Sequence, residues 1–274
     1  MPKPGQRNPR NRYMLATGEE AANRLLLLNK IFGPATHKLL KRAGLSPEMQ
    51  VAEIGCGSGL AALWTAKAVG EGGSLTAVDG SREQLQLAEK NAVSVGVKNI
   101  SWVQADAYDT GLPRESFDLV YSRFLMCHLT DPLKALGEMR ALLKPGGILV
   151  CEDHDDRGIF TEPGTSTYRR FVEISEAVNQ AHGLDSNIGL KLPRLFGSAG
   201  FARTEVRVEQ YAFLRGREKW FWELTLREAG PTILAAGTST RKELDTLCCD
   251  MEAIANDDSV LLMLARVTQV WARK

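Results

Sequence analysis

What the chain lacks narrows its class before any motif is weighed. No apolar stretch approaches the ~20 residues that a membrane-spanning helix requires; runs such as 25–28 and 260–265 fall far short. The first residues are rich in Pro, Arg and Asn and hold no apolar core, so they do not read as a secretory signal. Lys3, Arg7, Arg10 and Arg12 read instead as a solvated tail. Excess charge of either sign is missing: 34 Lys and Arg stand against 33 Asp and Glu, a net +1, which leaves no basic footprint for nucleic acid. The five cysteines are scattered and odd in number, against a disulfide framework and for a reducing compartment. Cys248 and Cys249 lack any zinc-type spacing. No linker rich in Pro, Gly or Ser divides the chain, and no repeat recurs. The expectation is a cytoplasmic α/β protein, a monomer or homodimer. Residues 1–48 read as a tail and lid helices, and 49–274 as the main domain, with helical cap insertions at about 154–192 and 216–256.

What is present begins with helices. Thr17 and Glu20 make a capping box, and Ala21, Leu25, Leu28 and Phe32 follow at helical spacing until Gly33 and Pro34 interrupt. A second helix is expected over 35–43. From Val51 strands alternate with helices: strands at 51–55, 75–79, 100–104, 117–122 and 148–152, with Ser81 and Gln84 capping one helix and Asp131-Pro132 starting another. Five such units call for a parallel sheet with right-handed crossovers, a Rossmann-like doubly wound α/β fold. Further helices are expected within 160–182, 190–199, 218–229 and 242–254, and strands over 204–213 and 260–271.

The chain is organised around residues 51–59, V-A-E-I-G-C-G-S-G, a strand breaking into a glycine turn before a helix. Ligands of nucleotide type meet a helix N-terminus at such a turn. Gly55, Gly57 and Gly59 make G-x-G-x-G, whereas a dinucleotide fingerprint needs its third glycine one residue later. Glu53, just before the turn, would repel a pyrophosphate and welcome an ammonium group. The site therefore suits a nucleoside bearing a zwitterionic amino acid. Asp79, ending the second strand, can accept both ribose hydroxyls, and Asp106-Ala107, ending the third, can meet an adenine. Cys56, Gly80 and Ser81 lie in the same loops.

These motifs, with F-D-L-V-Y-S-R at 117–123, H-L-T-D-P at 128–132 and L-L-K-P-G-G at 142–147, resemble those of class I S-adenosylmethionine-dependent methyltransferases. The resemblance is dense over 50–153. It is most like the small-molecule enzymes of the quinone-biosynthesis and secondary-metabolite type. It implies a seven-stranded sheet in the order 3-2-1-4-5-7-6 with strand seven antiparallel. It also implies S-adenosylmethionine as cofactor: Glu53 and Gly55 at its methionine part, Gly57 lining the pocket, Asp79 on the ribose, Asp106 on the adenine, and Ser122 and Arg123 near the sulfonium. Tyr13 would close over it. The fourth strand lacks the N/D-P-P-Y/F signature of enzymes acting on base amino groups, so the expected partner is a small-molecule acceptor, with neither nucleic acid nor membrane.

His128 and His154, just after the fourth and fifth strands, are the candidate bases. Glu152, Asp153, Asp155 and Asp156 around His154 could draw a cation or hold a metal, but read as a solvated loop, so no metal is expected. Trp220, Phe221 and Trp222 read as core or interface. Two other readings stay open: a protein that keeps the cofactor pocket without transferring methyl, such as a cyclase or regulatory binder, and an NAD(P) oxidoreductase, which the glycine spacing and Glu53 disfavour.

Overall fold

A computed structural model describes residue 15 and residues 22–274. Tyr13, Thr17 and Glu20 lie outside the described residues. The chain opens with α1 (Ala22–Ala43) and continues as β1 (Gln50–Ile54), α2 (Leu60–Val69), β2 (Ser74–Asp79), α3 (Arg82–Ser94), β3 (Ile100–Gln104) and β4 (Phe117–Arg123). Next come α4 (Pro132–Leu142), β5 (Leu143–Asp155), β6 (Phe160–Glu162), α5 (Ser166–Ala181) and α6 (Leu192–Ser198). The last part is β7 (Glu205–Glu209), β8 (Ala212–Phe213), α7 (Phe221–Ala235), α8 (Arg241–Asn256), β9 (Leu261–Met263) and β10 (Arg266–Arg273).

Seven strands form one sheet, β3-β2-β1-β4-β5-β10-β7. Strands β1 to β5 run parallel, and β10 lies antiparallel between β5 and β7. Counted within this sheet, the order is the 3-2-1-4-5-7-6 that the resemblance implied. Both faces are covered, so adjacent strand residues are buried in opposite directions. Val51, Leu119 and Val150 meet Leu39 and Leu40 of α1 and Ala62 and Ala66 of α2. Ala52, Val120 and Leu149 meet Leu136 and Met139 of α4 and Phe196 of α6. Such strands read as continuous apolar runs because neither face sees water. The predicted caps at Ser81 and Asp131 hold, accepting from the Gln84 and Lys134 N–H groups, and Thr240 caps α8 in the same way by accepting from the Glu243 N–H.

Several elements differ from expectation. The two N-terminal helices are one, because α1 runs through Pro34. Proline disfavours helix in the residue before it through that residue's Cβ, and here that residue is Gly33; buried Ile31, Phe32 and Ala35 hold the helix across the junction. The stretch 204–213 is two strands, and so is 260–271: β6, β9 and β8 form a separate three-stranded antiparallel sheet. The chain leaves the large sheet at Gln210, whose side-chain amide donates to the Gly158 and Leu264 carbonyls and takes over where ladder bonds stop. A third apolar cluster joins α5, α7, α8 and the first half of α1 through Phe32, Phe171, Trp222, Leu247 and Met251.

Lys219 was not singled out in the sequence, yet it ties this cap together. Its side chain is fully buried, and Nζ donates to the carbonyls of Leu214, Asp257 and Val260 at 3.0, 2.5 and 2.9 Å. All three ammonium donors are thereby used. Lys219→Met should lower unfolding free energy by about 2–4 kcal/mol, the cost of stranding buried carbonyls. Urea denaturation checks this, and a change below 1 kcal/mol would mean that water reaches the carbonyls. Among the described residues no helix is long and apolar enough to cross a membrane.

Candidate active site

The glycine turn leaves the carboxyl end of β1 and enters α2. Gly55, Gly57 and Gly59 all have positive φ, +77°, +51° and +75°, which favours glycine at each. Their surroundings differ. A Cβ on Gly55 would lie 2.9 Å from Leu125 Cδ1, and one on Gly59 would lie 2.8 Å from the Ala88 Cβ of α3. Those two glycines let the turn pack. A Cβ on Gly57 would meet nothing within 4 Å, and Gly57 lines a cavity of about 2170 Å³. Only the middle glycine leaves space for a ligand.

Asp79 organises this turn. Its Oδ2 accepts the Gly57 N–H and its Oδ1 the Ser81 N–H, each at 2.8 Å. Burial raises the Asp79 pKa while these two amides work against the rise. The link to Gly57 could not be read from chain order, since 22 residues separate the two. Gly80 and Ser81 line the cavity beside it, as do Cys56, Asp106 and Ala107. Cys56 is buried, and burial pushes its thiol well above the ordinary value. Asp106 is exposed at the mouth and accepts the Tyr108 N–H at 2.9 Å.

Glu53 is only 2 % exposed, and its Oε2 has no hydrogen-bond partner. Burial pushes its pKa up to about 8; Arg123 opposes the shift, and Asp79 and Glu152 add to it. Arg123, at the end of β4, lines the cavity and donates to Thr36 Oγ1 and Asn29 Oδ1 of α1, each at 3.2 Å. Ser122 does not line the cavity: its side chain is buried, with the hydroxyl donating to Cys151 Sγ at 3.2 Å. Neighbouring strand residues face opposite ways, so Ser122 and Arg123 cannot both present side chains to one ligand.

The acidic run at the end of β5 is not a solvated loop. Glu152, Asp153, Asp155 and Asp156 are at most 3 % exposed. Each has a fixed partner: Glu152 accepts from Tyr121, Thr36 and Gln269, Asp153 from the Cys127 N–H, Asp155 pairs with Arg266, and Asp156 accepts from Ser175. The run continues the buried strand β5, and burial in pairs replaces water as the solvent of these charges.

His154 Nδ1 lies 3.1 Å from Asp153 Oδ1, and Nε2 lies 3.5 Å from Asp156 Oδ1. Burial alone would lower its pKa, but Cys127, Asp156 and Asp153 outweigh it and raise the value well above that of ordinary histidine. His128 goes the other way. Burial lowers it to about 4, with Asp153 resisting and His154 and Arg24 reinforcing. Both histidines line the cavity. Cys127, which the sequence did not flag, precedes His128 in the chain and lies close to His154; burial lifts its thiol to about 12. Ligand-type atoms of Cys127, Asp153 and His154 fall within 4.8 Å of one another. Part of the cavity wall is apolar, with Phe32, Phe171, Phe221 and Trp222 among the lining residues. Phe221 and Trp222 are thus both core and cavity wall, whereas α8 packs behind α7 and contributes no lining residue.

Residues 52–151, from β1 to β5, match the family model of the methyltransferase domain. Over that segment the chain is similar to methyltransferases. Methyltransferase GfsG of Streptomyces halstedii is 30% identical over 54% of this chain and 52% of its own length. The demethylmenaquinone methyltransferase of Staphylococcus aureus (strain MRSA252) is 33% identical over 45% of this chain and 53% of its own. The chain thus spans about half the length of the curated relatives it matches. Phosphoethanolamine N-methyltransferase 2 of Haemonchus contortus, in complex with S-adenosyl-L-methionine, shares the fold with a TM-score of 0.57 at 20% identity, over 91% of this chain and 56% of that one. The matched segment contains the glycine turn, Asp79, Asp106 and His128, and His154 lies three residues beyond it.

Proposed function

We propose that the chain binds S-adenosylmethionine in the glycine cradle and moves its methyl group to an O, N or C atom of a small organic acceptor. The observation that carries this reading is continuity. Gly57 and Asp79, His128 and His154, and Phe171 and Trp222 all line one cavity. Its volume, about 2170 Å³, exceeds the roughly 300–1,000 Å³ of a pocket for one small ligand. Donor and acceptor therefore have room side by side. The unpartnered Glu53 Oε2 suits an ammonium, Asp79 a ribose, and Asp106 with Ala107 an adenine at the mouth. Apolar cap walls favour a small molecule over nucleic acid. When bound, the cofactor supplies a methyl group activated at a sulfonium.

The chain's own residues orient the acceptor and handle its proton. The two histidines have pKa values pushed apart, the pattern of an assigned base and acid. His128, lowered, is neutral at pH 7 and can take the acceptor's proton. His154, raised, stays protonated and donates to an acceptor oxygen. The base form of His128 is lost only below about pH 4. The acid form of His154 is lost as pH rises through its elevated pKa. His128→Ala should lower kcat by ~10²-fold or more with cofactor affinity unchanged, and His154→Gln should abolish the alkaline limb of the pH profile. An unaltered limb in the second variant would remove His154 as the donor. Isothermal titration with S-adenosylmethionine and with NAD(P)H tests the cofactor; tight dinucleotide binding alone would end this reading. Transfer of a labelled methyl group to added acceptors separates methylation from binding without transfer.

A further inference from the structure

Cys127, Asp153 and His154 bring a thiol, a carboxylate and an imidazole to one point of the structure. Cys127 comes from the short 3-10 helix Met126–His128 that follows β4, and Asp153 and His154 from the last residues of β5. Strands β4 and β5 are parallel neighbours, so their carboxyl ends lie side by side. One ligand-type atom of each residue lies within 4.8 Å of the other two. His154 Nδ1 and Asp153 Oδ1 are 3.1 Å apart. Neighbouring ligands of a tetrahedral zinc ion are separated by about 3.3–3.7 Å, given its bond lengths. The carboxylate and imidazole therefore stand close to coordination spacing already, and a thiol shift of about 1 Å or less completes the set.

The groups around these three hold them as the second shell of a metal site does. Asp153 is wholly buried; Oδ2 accepts the Cys127 N–H at 3.2 Å and Oδ1 the His154 N–H at 2.9 Å. Each carboxylate oxygen has two lone pairs, so the amides fix the group without exhausting it. On the other side of the imidazole, Asp156 Oδ1 lies 3.5 Å from His154 Nε2 and makes no hydrogen bond, while Oδ2 accepts from Ser175. A histidine bound to metal through one nitrogen almost always turns the other N–H towards a carboxylate or carbonyl, which sets its tautomer and ring plane. Asp156, 3 % exposed, supplies that carboxylate. Cys127 and His154 line the cavity, and the His154 side chain is 22 % exposed, so the cluster has an open side.

We propose that Cys127, Asp153 and His154 form a binding site for a divalent transition-metal ion, zinc foremost, with Asp156 as the residue that positions His154. A thiolate and an imidazole select against magnesium and calcium, which take oxygen ligands. Three protein ligands with a position left open are the pattern of a catalytic zinc site, not of a closed structural one. Binding releases the Cys127 thiol proton and the proton on the coordinating His154 nitrogen to solvent. The ion then takes the place of the positive charge that His154 carries without it. Metal binding does not depend on the reading of the cavity as a methyltransferase pocket. Where that reading holds, an acceptor hydroxyl or thiol in the open position is made more acidic by the ion, and His128, next in the chain to Cys127, is the base that takes its proton.

The test uses the whole chain, stripped of metal by a chelator and free of cofactor, with Zn²⁺ and Co²⁺ as probes. Calorimetry should show one zinc ion per chain with a Kd below about 1 μM. Cobalt should give the charge-transfer absorption of a Co–thiolate bond. X-ray absorption of the zinc-loaded wild type, which needs no variant, should find one sulfur among nitrogen and oxygen neighbours. Cys127→Ser should lose the charge-transfer band and bind zinc at least about 100-fold more weakly. Asp156→Asn should keep the band and weaken zinc binding about tenfold, the effect of losing an orienting group. Cys248→Ser/Cys249→Ser should match wild type, since that pair lies on α8, which contributes no residue to the cavity. Zinc binding weaker than about 100 μM, no sulfur or two sulfurs at the zinc, or a band that survives in Cys127→Ser would each overturn the proposal. Failure to bind S-adenosylhomocysteine in a separate titration would instead strike the cofactor reading and leave the metal site standing.

Discussion

Glu53→Gln should bind S-adenosylmethionine about 10–100-fold more weakly than wild type, yet melt at a higher temperature when ligand-free. Both effects come from one buried carboxylate. Its pKa is raised from 4.5 to about 8 because ionisation without a partner is unfavourable in that position. In the unfolded chain the group ionises near its ordinary value, so it subtracts stability progressively as pH rises from 4.5 through 8. Glutamine cannot ionise, and by pH 8 the ligand-free variant should be about 2–4 kcal/mol more stable than wild type. Binding has the opposite sign. The ammonium of the cofactor would supply the missing partner of Oε2, and a hydrogen bond to a charged group contributes about 1.5–3 kcal/mol. Wild type should therefore release more protons than the variant on binding at pH 7. Calorimetry in buffers of different ionisation enthalpy measures this, and thermal denaturation across pH measures the rest. Equal affinities would take Glu53 out of the cofactor site.

The second large effect separates two glycines of one turn. Gly59→Val should cost about 3–5 kcal/mol of stability: a β-branched residue would be forced to φ +75° with its Cβ 2.8 Å from Ala88, combining backbone strain with overpacking. Gly57→Ala should cost only about 1 kcal/mol, since its φ of +51° is the mildest of the three and the new Cβ meets no atom within 4 Å. Its methyl would enter the cavity, however, and cofactor affinity should fall by at least about tenfold. Urea titration and cofactor titration of both variants give four numbers. The expected pattern is a crossed one, with stability lost at Gly59 and affinity at Gly57. Loss of both in both variants would mean that the turn responds as a unit.

Much of this architecture could be read in the sequence because its signals are local. Strand, glycine turn and helix at 50–69 lie within twenty residues, and the caps at Ser81, Asp131 and Thr240 need only the next three. The alternation of apolar runs with helical periods placed five parallel strands to within a few residues. The misreadings share a cause. Pro34 marks a helix break by local rule but lies inside a helix whose buried face spans it. Four acidic residues in a row of five read as solvated by composition, yet they occupy the end of a central strand with a partner for each. Stretches 204–213 and 260–271 were each read as one strand because alternation continues across the point where the chain changes sheets.

The sequence by itself determined the sheet and its turn: three glycines at alternate positions, and a carboxylate at the end of each of three neighbouring strands. Backbone freedom and strand periodicity are properties of consecutive residues, so no tertiary contact was needed to recognise them. Only the folded structure decided what those groups are for. It showed that Asp79 holds the Gly57 amide, that Gly59 is a packing glycine and Gly57 the open one, and that Glu53 has a lone oxygen. It also pushes the pKa values of two histidines, alike in sequence context, in opposite directions, because burial governs one and the Asp156 and Asp153 carboxylates beside the other outweigh it. Protonation and hydrogen-bond satisfaction depend on what surrounds an atom in space, and that environment is assembled from residues far apart in the chain, as Arg24 and Glu228 are.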